Sequence, residues 1–142
     1  MNYFTSTRSN PLLVDIVLLV IRIFVGFAML SHGFPKLQEL LSGQEIQFFS
    51  FLGLSDKTSL ILAVFAEFVC SIFIILGLFT RFAVFFLVIT MAVAGLIVHG
   101  GDPFQKKETS LLYLSVYMML FAFGPGKYSV DYMISRKEED TW

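Results

Sequence analysis

Arg22 and Glu67 stand in the middle of two apolar stretches, LLVDIVLLVIRIFVGFAML and TSLILAVFAEFVCSIFIILGL. Each stretch has the roughly 20 residues that a helix needs to cross a bilayer. A charge at the bilayer centre costs at least ~2.5 kcal/mol, so such groups face a protein interior and find partners there. Glu67 is flanked at helical spacing by Ala63, Cys70 and Ser71, small residues that let a neighbouring helix approach closely. Two roles follow. The residues either form a buried pair that fixes helix register, or Glu67 exchanges a proton beside a cavity while Arg22 holds an anionic or carbonyl-bearing ligand.

His32, Lys36, His99 and Glu108 form a second group. His99 shares a helical face with Gly95 and Ala92, and both histidines precede glycines. A histidine here can hydrogen-bond a polar head group, relay a proton, or cap a helix C-terminus. Two histidines on different helices could also ligate a haem or a metal, but no supporting ligand pattern accompanies them and no metal site is assigned. Lys36 either reaches an anionic head group or snorkels into the interface. Glu108 complements the dipole at the start of a helix, and its face continues through Leu112 and Ser115. Tyr113 and Tyr117 form a stripe suited to core packing or to stacking on a quinone-like ring. Asp15, seven residues before Arg22 on the same face, is a second candidate partner for it. The reading assigns Glu67 and His99 catalytic roles, and Arg22, His32, Lys36 and Glu108 ligand-binding roles.

These residues must be positioned by membrane helices. The chain has 142 residues, 56% hydrophobic and 15% charged, with 17 Phe and a mean hydropathy of +0.78. Soluble domains average nearer 45–50% apolar and about 25% charged. A single domain over residues 1–142 is expected, because no linker composition interrupts the chain. A net charge of −1 with no basic cluster argues against nucleic acid as a partner. The lone Cys70 excludes a disulfide frame or CxxC couple within this chain. The first apolar run contains Asp15 and Arg22 and ends in His32-Gly33-Phe34-Pro35, so it reads as a retained anchor rather than a cleaved signal.

Four spans are expected, at Leu12–Ser31, Thr58–Leu78, Phe82–Val98 and Thr109–Phe123, giving an all-α, up-down-up-down four-helix transmembrane bundle. Gly77–Arg81 makes a tight hairpin turn. Gly100, Gly101 and Pro103 separate the last two helices, and Gly124-Pro125-Gly126 ends the fourth. Tyr128–Glu139 reads as a short interfacial helix with a charged tail. Between the first two spans, Lys36–Leu41 and Phe48–Leu52 read as a partly helical cap on one end of the bundle. Alternation then collects His32, Lys36, Lys57, His99, Asp102, Lys106, Lys107 and Glu108 on one membrane face. Arg22 and Glu67, ten and nine residues from that face, should sit level at a depth of roughly 14–15 Å and pair. The basic residues Arg8, Arg81, Lys127, Arg136 and Lys137 share the opposite side and favour cytoplasmic termini.

One order of motifs runs through the chain. Arg22-x-x-x-Gly26 is followed by His32-Gly33-x-x-Lys36, Ala66-Glu67-Phe68 and Leu76-Gly77-Leu78-Phe79-Thr80-Arg81. Ala92-Val93-Ala94 leads to His99, then come Glu108, Leu111-Leu112-Tyr113-Leu114, and Gly124-Pro125-Gly126-Lys127-Tyr128-Ser129-Val130-Asp131. From about Leu18 to Asp131 this resembles the DoxX family of small four-helix bacterial membrane proteins, with Ser71 standing where a glycine-rich stretch is expected. The family takes its name from a relative of a thiosulfate–quinone oxidoreductase subunit, and other members are linked to membrane redox or thiol-stress complexes. The resemblance therefore implies a bacterial inner-membrane protein, a subunit of a redox system that binds a quinone-like lipophilic ligand. Membrane lipid and a redox partner protein would be its partners, since no sequence motif for an electron carrier is present. A carrier for small solutes or protons and a non-catalytic assembly factor remain the alternatives.

Overall fold

The computed structural model describes residues 6–139, which form helices joined by turns and loops, with no strand among them. Helix α1 runs over Pro11–Leu41, α2 over Asp56–Leu76, α3 over Thr80–Val98, α4 over Phe104–Phe123 and α5 over Val130–Glu139. The first three are long and apolar enough to cross a membrane. α4 has 20 residues but opens on Gln105, Lys106, Lys107 and Glu108, which lowers its hydropathy.

Local chemistry sets the helix ends. Asn10 accepts a hydrogen bond from the Leu12 amide at 3.0 Å, and Pro11 occupies the first helical position of α1, where its missing N–H costs nothing. Ser55 caps α2 by accepting from the Thr58 amide at 3.2 Å. Gly77 closes α2 in the left-handed region at φ +69°. The amides that begin α3 are capped from a distant element: Asp131 of α5 accepts from Phe79 N–H at 2.7 Å and Thr80 N–H at 2.9 Å. Ser129 caps α5, accepting from the Tyr132 amide at 3.2 Å while its hydroxyl donates to the Gly126 carbonyl at 2.7 Å.

α1 is longer than the expected Leu12–Ser31. Pro35 lies inside it without ending it, and Lys36–Leu41 form its last turns rather than part of a separate cap. Gly33, which reads as a terminator, serves a close approach instead. A Cβ there would stand 2.8 Å from the Glu67 carbonyl. Only the later part of the expected cap is separate, as a single 3-10 turn over Phe51–Gly53.

The register between α1 and α2 follows from three such approaches. Gly33 faces the Glu67 backbone, Gly26 faces Ser71 and Ile75, and Arg22 packs against Gly77. Arg22 and Gly33 are eleven residues apart on one helix, about 16 Å at 1.5 Å per residue. Arg22 and Glu67 are thus at different heights, and the pair expected between them does not form. The expectation placed the end of α1 near His32, three turns too early, and so slid the two helices out of register.

The core runs between all four long helices, with Met29, Cys70, Ile74, Leu87, Tyr117 and Leu120 at 1% exposure or less. Large apolar side chains also cover the outside, among them Phe24, Phe27, Phe85, Leu112 and Phe121. Apolar surface this extensive is foreign to soluble monomers and suits a hydrocarbon solvent.

Candidate functional site

α2 and α3 each depart from α-helical geometry once. A wide π-helical turn spans Phe65–Cys70 in α2 and another spans Val93–Val98 in α3. Such turns concentrate at functional sites, because the extra residue re-aims side chains on either side of it. Between these two turns lies a cavity of about 440 Å³, covered by Phe48, Phe49 and Phe51. The cover is held down by backbone amides: Phe51 N–H donates to Ser59 Oγ at 2.9 Å, and Phe48 N–H to Asp56 Oδ2 at 3.4 Å.

The first π-turn carries Glu67 to the cavity wall. Its carboxylate, nearly buried, accepts from Lys36 Nζ at 2.6 Å through both oxygens. Lys36 reaches it because α1 continues through Pro35, and its ammonium stands 5.8 Å from the Phe48 ring centre, a cation–π contact. The pair is therefore asymmetric: the Lys36 side chain keeps 30% of its exposure and Glu67 only 5%. His99, just past the second π-turn, lies at the far edge of the lining and its Nδ1 is 2.9 Å from Asp102 Oδ2. That bond is the main reason the Asp102 carboxyl lies below the usual range, with help from nearby Lys106 and Lys107. The remaining walls are apolar, including Leu62, Phe65, Phe86 and Ile89, with Ser59 and Thr90 as hydroxyl groups among them. Thr90 Oγ1 donates back to the Phe86 carbonyl at 2.8 Å, leaving its oxygen lone pairs as acceptors.

Three of the six residues singled out from the sequence, Lys36, Glu67 and His99, therefore meet at one cavity. The other three are elsewhere. His32 is exposed on α1 and meets the edge of Tyr113 at 5.9 Å. Tyr113 in turn stacks on Tyr117 at 6.0 Å, so the tyrosine stripe packs within the protein and does not line the cavity. Glu108 is exposed near the start of α4. Among the described residues no group of three His, Cys, Asp or Glu could hold a metal ion.

Arg22 is fully buried at the opposite end. Its Nη2 donates to the Tyr128 carbonyl, Asp131 attracts it electrostatically, and it lies against Gly77 where any Cβ would collide with the guanidinium. Asp131 meanwhile donates its own amide to the Gly77 carbonyl at 2.8 Å. Asp15 takes part as well, though not as a partner of Arg22: its carboxylate accepts from the Lys127 amide at 3.1 Å. Arg22 and Asp131 thus clasp the 124–131 loop onto the α2–α3 turn. The Phe48–Phe51 cover belongs to the cap expected from the run of phenylalanines, whereas Ser59 and Thr90 were missed from the sequence, where nothing sets them apart from other hydroxyl residues in apolar helices.

A protein whose described residues are helices and turns, with exposed apolar surfaces, three membrane-length helices and a mostly apolar cavity, is an integral membrane protein. A family model described as DoxX matches residues 17–100, more than half of the chain, and the chain belongs to the DoxX family. The match contains Lys36, Glu67 and His99 and stops before Glu108 and the 124–131 loop. No curated protein and no solved structure matches it.

Proposed function

We propose that this DoxX protein holds a quinone-like lipophilic ligand in the α2–α3 cavity and serves as a subunit of a membrane redox system. The observation that carries this reading is the Lys36–Glu67 pair set into an otherwise aromatic and aliphatic wall. Binding sites for apolar ligands have this composition, with a few convergent polar groups that fix orientation. Lys36 keeps hydrogen-bonding capacity beyond Glu67 and offers it to a ligand carbonyl oxygen. Glu67 is placed to exchange a proton with the same oxygen, and His99 with Asp102 links that end of the cavity to water. A bound quinone supplies the electron chemistry, and a partner protein delivers or removes the electrons. The proposal includes a fourth crossing by α4, whose Leu112, Met118 and Phe121 are exposed, giving an up-down-up-down bundle. It also places the chain in the bacterial inner membrane, with the Arg81 and Lys127 end on the cytoplasmic side.

Calorimetric titration of the purified full chain in neutral detergent with a decyl-substituted benzoquinone tests the reading. Ala63 lines the cavity, and Ala63→Phe should fill it and weaken binding at least tenfold. Glu67→Gln, which removes the counter-charge of Lys36, should leave binding measurable and change its strength. Absence of binding, or binding indifferent to both changes, overturns the proposal. Flux of protons or small solutes through proteoliposomes would instead support a carrier.

A further inference from the structure

A second concavity lies at the opposite end, bounded by the α2–α3 turn, the 124–127 segment and α5. It has a volume of about 550 Å³ and is open to its surroundings. Arg81 and Lys127 both line it and both are exposed. Among the described residues neither side chain makes an ion pair. The acids close by are already engaged with backbone amides: Asp131 caps Phe79 and Thr80, and Asp15 accepts from Lys127 N–H. Thr80 also lines this concavity, and its hydroxyl, wholly buried, has no hydrogen-bond partner.

Aromatic rings share the lining: Phe79, Phe82 and Phe123 are 62%, 54% and 67% exposed. Phe79 owes its position to backbone strain, since it adopts φ +46°, a region costly for a bulky residue. The Asp131 carboxylate bonded to its amide holds it there. Two cations without ion pairs, sharing one concavity with a collar of exposed aromatic rings at one end of the apolar helices, match a molecule with an anionic head and hydrocarbon tails. Basic pockets among membrane helices bind anionic lipid head groups in this way, and the N-terminal end of α3 adds favourable dipole there.

We infer that the concavity between Arg81 and Lys127 is a binding site for the phosphodiester of an anionic phospholipid, whose acyl chains lie along Phe79, Phe82 and Phe123. The aromatic collar favours a lipid-borne phosphate over a free one. This site is separate from the α2–α3 cavity and does not depend on what occupies it.

The test is thermal unfolding of the purified full chain in neutral detergent, titrated in turn with phosphatidylglycerol, phosphatidylcholine and inorganic phosphate. Phosphatidylglycerol should raise the melting temperature by several degrees more than phosphatidylcholine. Arg81→Gln combined with Lys127→Gln, both at exposed positions, should remove that preference without unfolding the protein, and Arg81→Lys with Lys127→Arg should retain it. Lys57→Gln with Lys106→Gln, outside this concavity, should leave it intact. Equal stabilisation by both lipids, or a preference that survives the glutamine pair, overturns the site. A shift reproduced by inorganic phosphate alone overturns the lipid assignment.

Discussion

Lys36 and Glu67 meet at the wall of a cavity, whereas Arg22, about 21 Å back along α1 from Lys36, is sealed beneath the loop that leads to α5. Both places put ionisable groups where charge is expensive, but they resolve the cost differently. At the Arg22 end, backbone groups do the work. The Tyr128 carbonyl accepts from the guanidinium, the Gly77 carbonyl accepts from Asp131 N–H, and the Asp131 carboxylate accepts two amides. Arg22 itself is wholly buried and its Nε and Nη1 have no hydrogen-bond partner among the described residues, so one carbonyl and the charge of Asp131 hold it in place. At the Glu67 end, one flexible side chain, Lys36, answers the carboxylate, and the neighbouring space is open and apolar. A charge locked by backbone is a fastening. A charge held by a lysine that can swing is available for exchange.

The sharpest way to break this contrast is Gly77→Ala. The substitution strains a position at φ +69°, costing about 1–2 kcal/mol, and drives its Cβ into the Arg22 guanidinium. Stripping a buried charge of its partners costs about 3–5 kcal/mol, so a loss on the order of 4 kcal/mol is expected in reversible unfolding in mixed micelles. Arg22→Met should be destabilising alone yet add little on top of Gly77→Ala, because residues in contact are not additive. Additive losses would show that Gly77 does not make room for the guanidinium.

The fold was largely legible because it rests on hydropathy and on turn residues. α2, α3 and the α5 helix follow the sequence pattern to within a few residues. Pro35 misled, since a proline and a glycine after an apolar run look like an ending. Here Ser31, whose carbonyl loses its usual donor to Pro35, stays within a continuous helix because α2 packs against Gly33. That single extension decides the site: it moves Lys36 onto Glu67 and Arg22 away from it. That Glu67 would be buried and need a partner was readable from its place in an apolar run, and which partner was not, because partner choice depends on register. The paired π-turns have no sequence signature beyond the small residues around them, and they arise from packing.

The next effect in size is at the cavity. Lys36→Met leaves the Glu67 carboxylate buried at 5% side-chain exposure without its counter-charge. Removing one partner of a buried pair costs about 3–5 kcal/mol, and the exposure of Lys36 puts this case at the lower end. Adding Glu67→Gln should recover most of that loss in the same unfolding assay, which the Arg22 end cannot match with any single compensating change. Failure of the second substitution to rescue would mean that Lys36 is held by Phe48 rather than by the carboxylate.

The smallest effect probes the outer edge of the cavity. His99 and Asp102 are each more than a third exposed, so their contact contributes little to stability, and Asp102→Asn should leave the melting temperature unchanged. Its signature is in pH. Because the His99 hydrogen bond holds the Asp102 carboxyl below its ordinary value, near 3.9 in model peptides, the contact is fully present above that value. It is lost as pH falls through the depressed one. Nitrogen-15 shifts of the His99 ring should therefore move in a low-pH step that tracks Asp102 protonation, and Asp102→Asn should abolish the step while the Lys36–Glu67 contact is undisturbed. A His99 ring that shows the same step in the variant takes its environment from Lys106, Lys107 or solvent. The polar edge of the cavity would then be loose, in contrast to the fastening around Arg22.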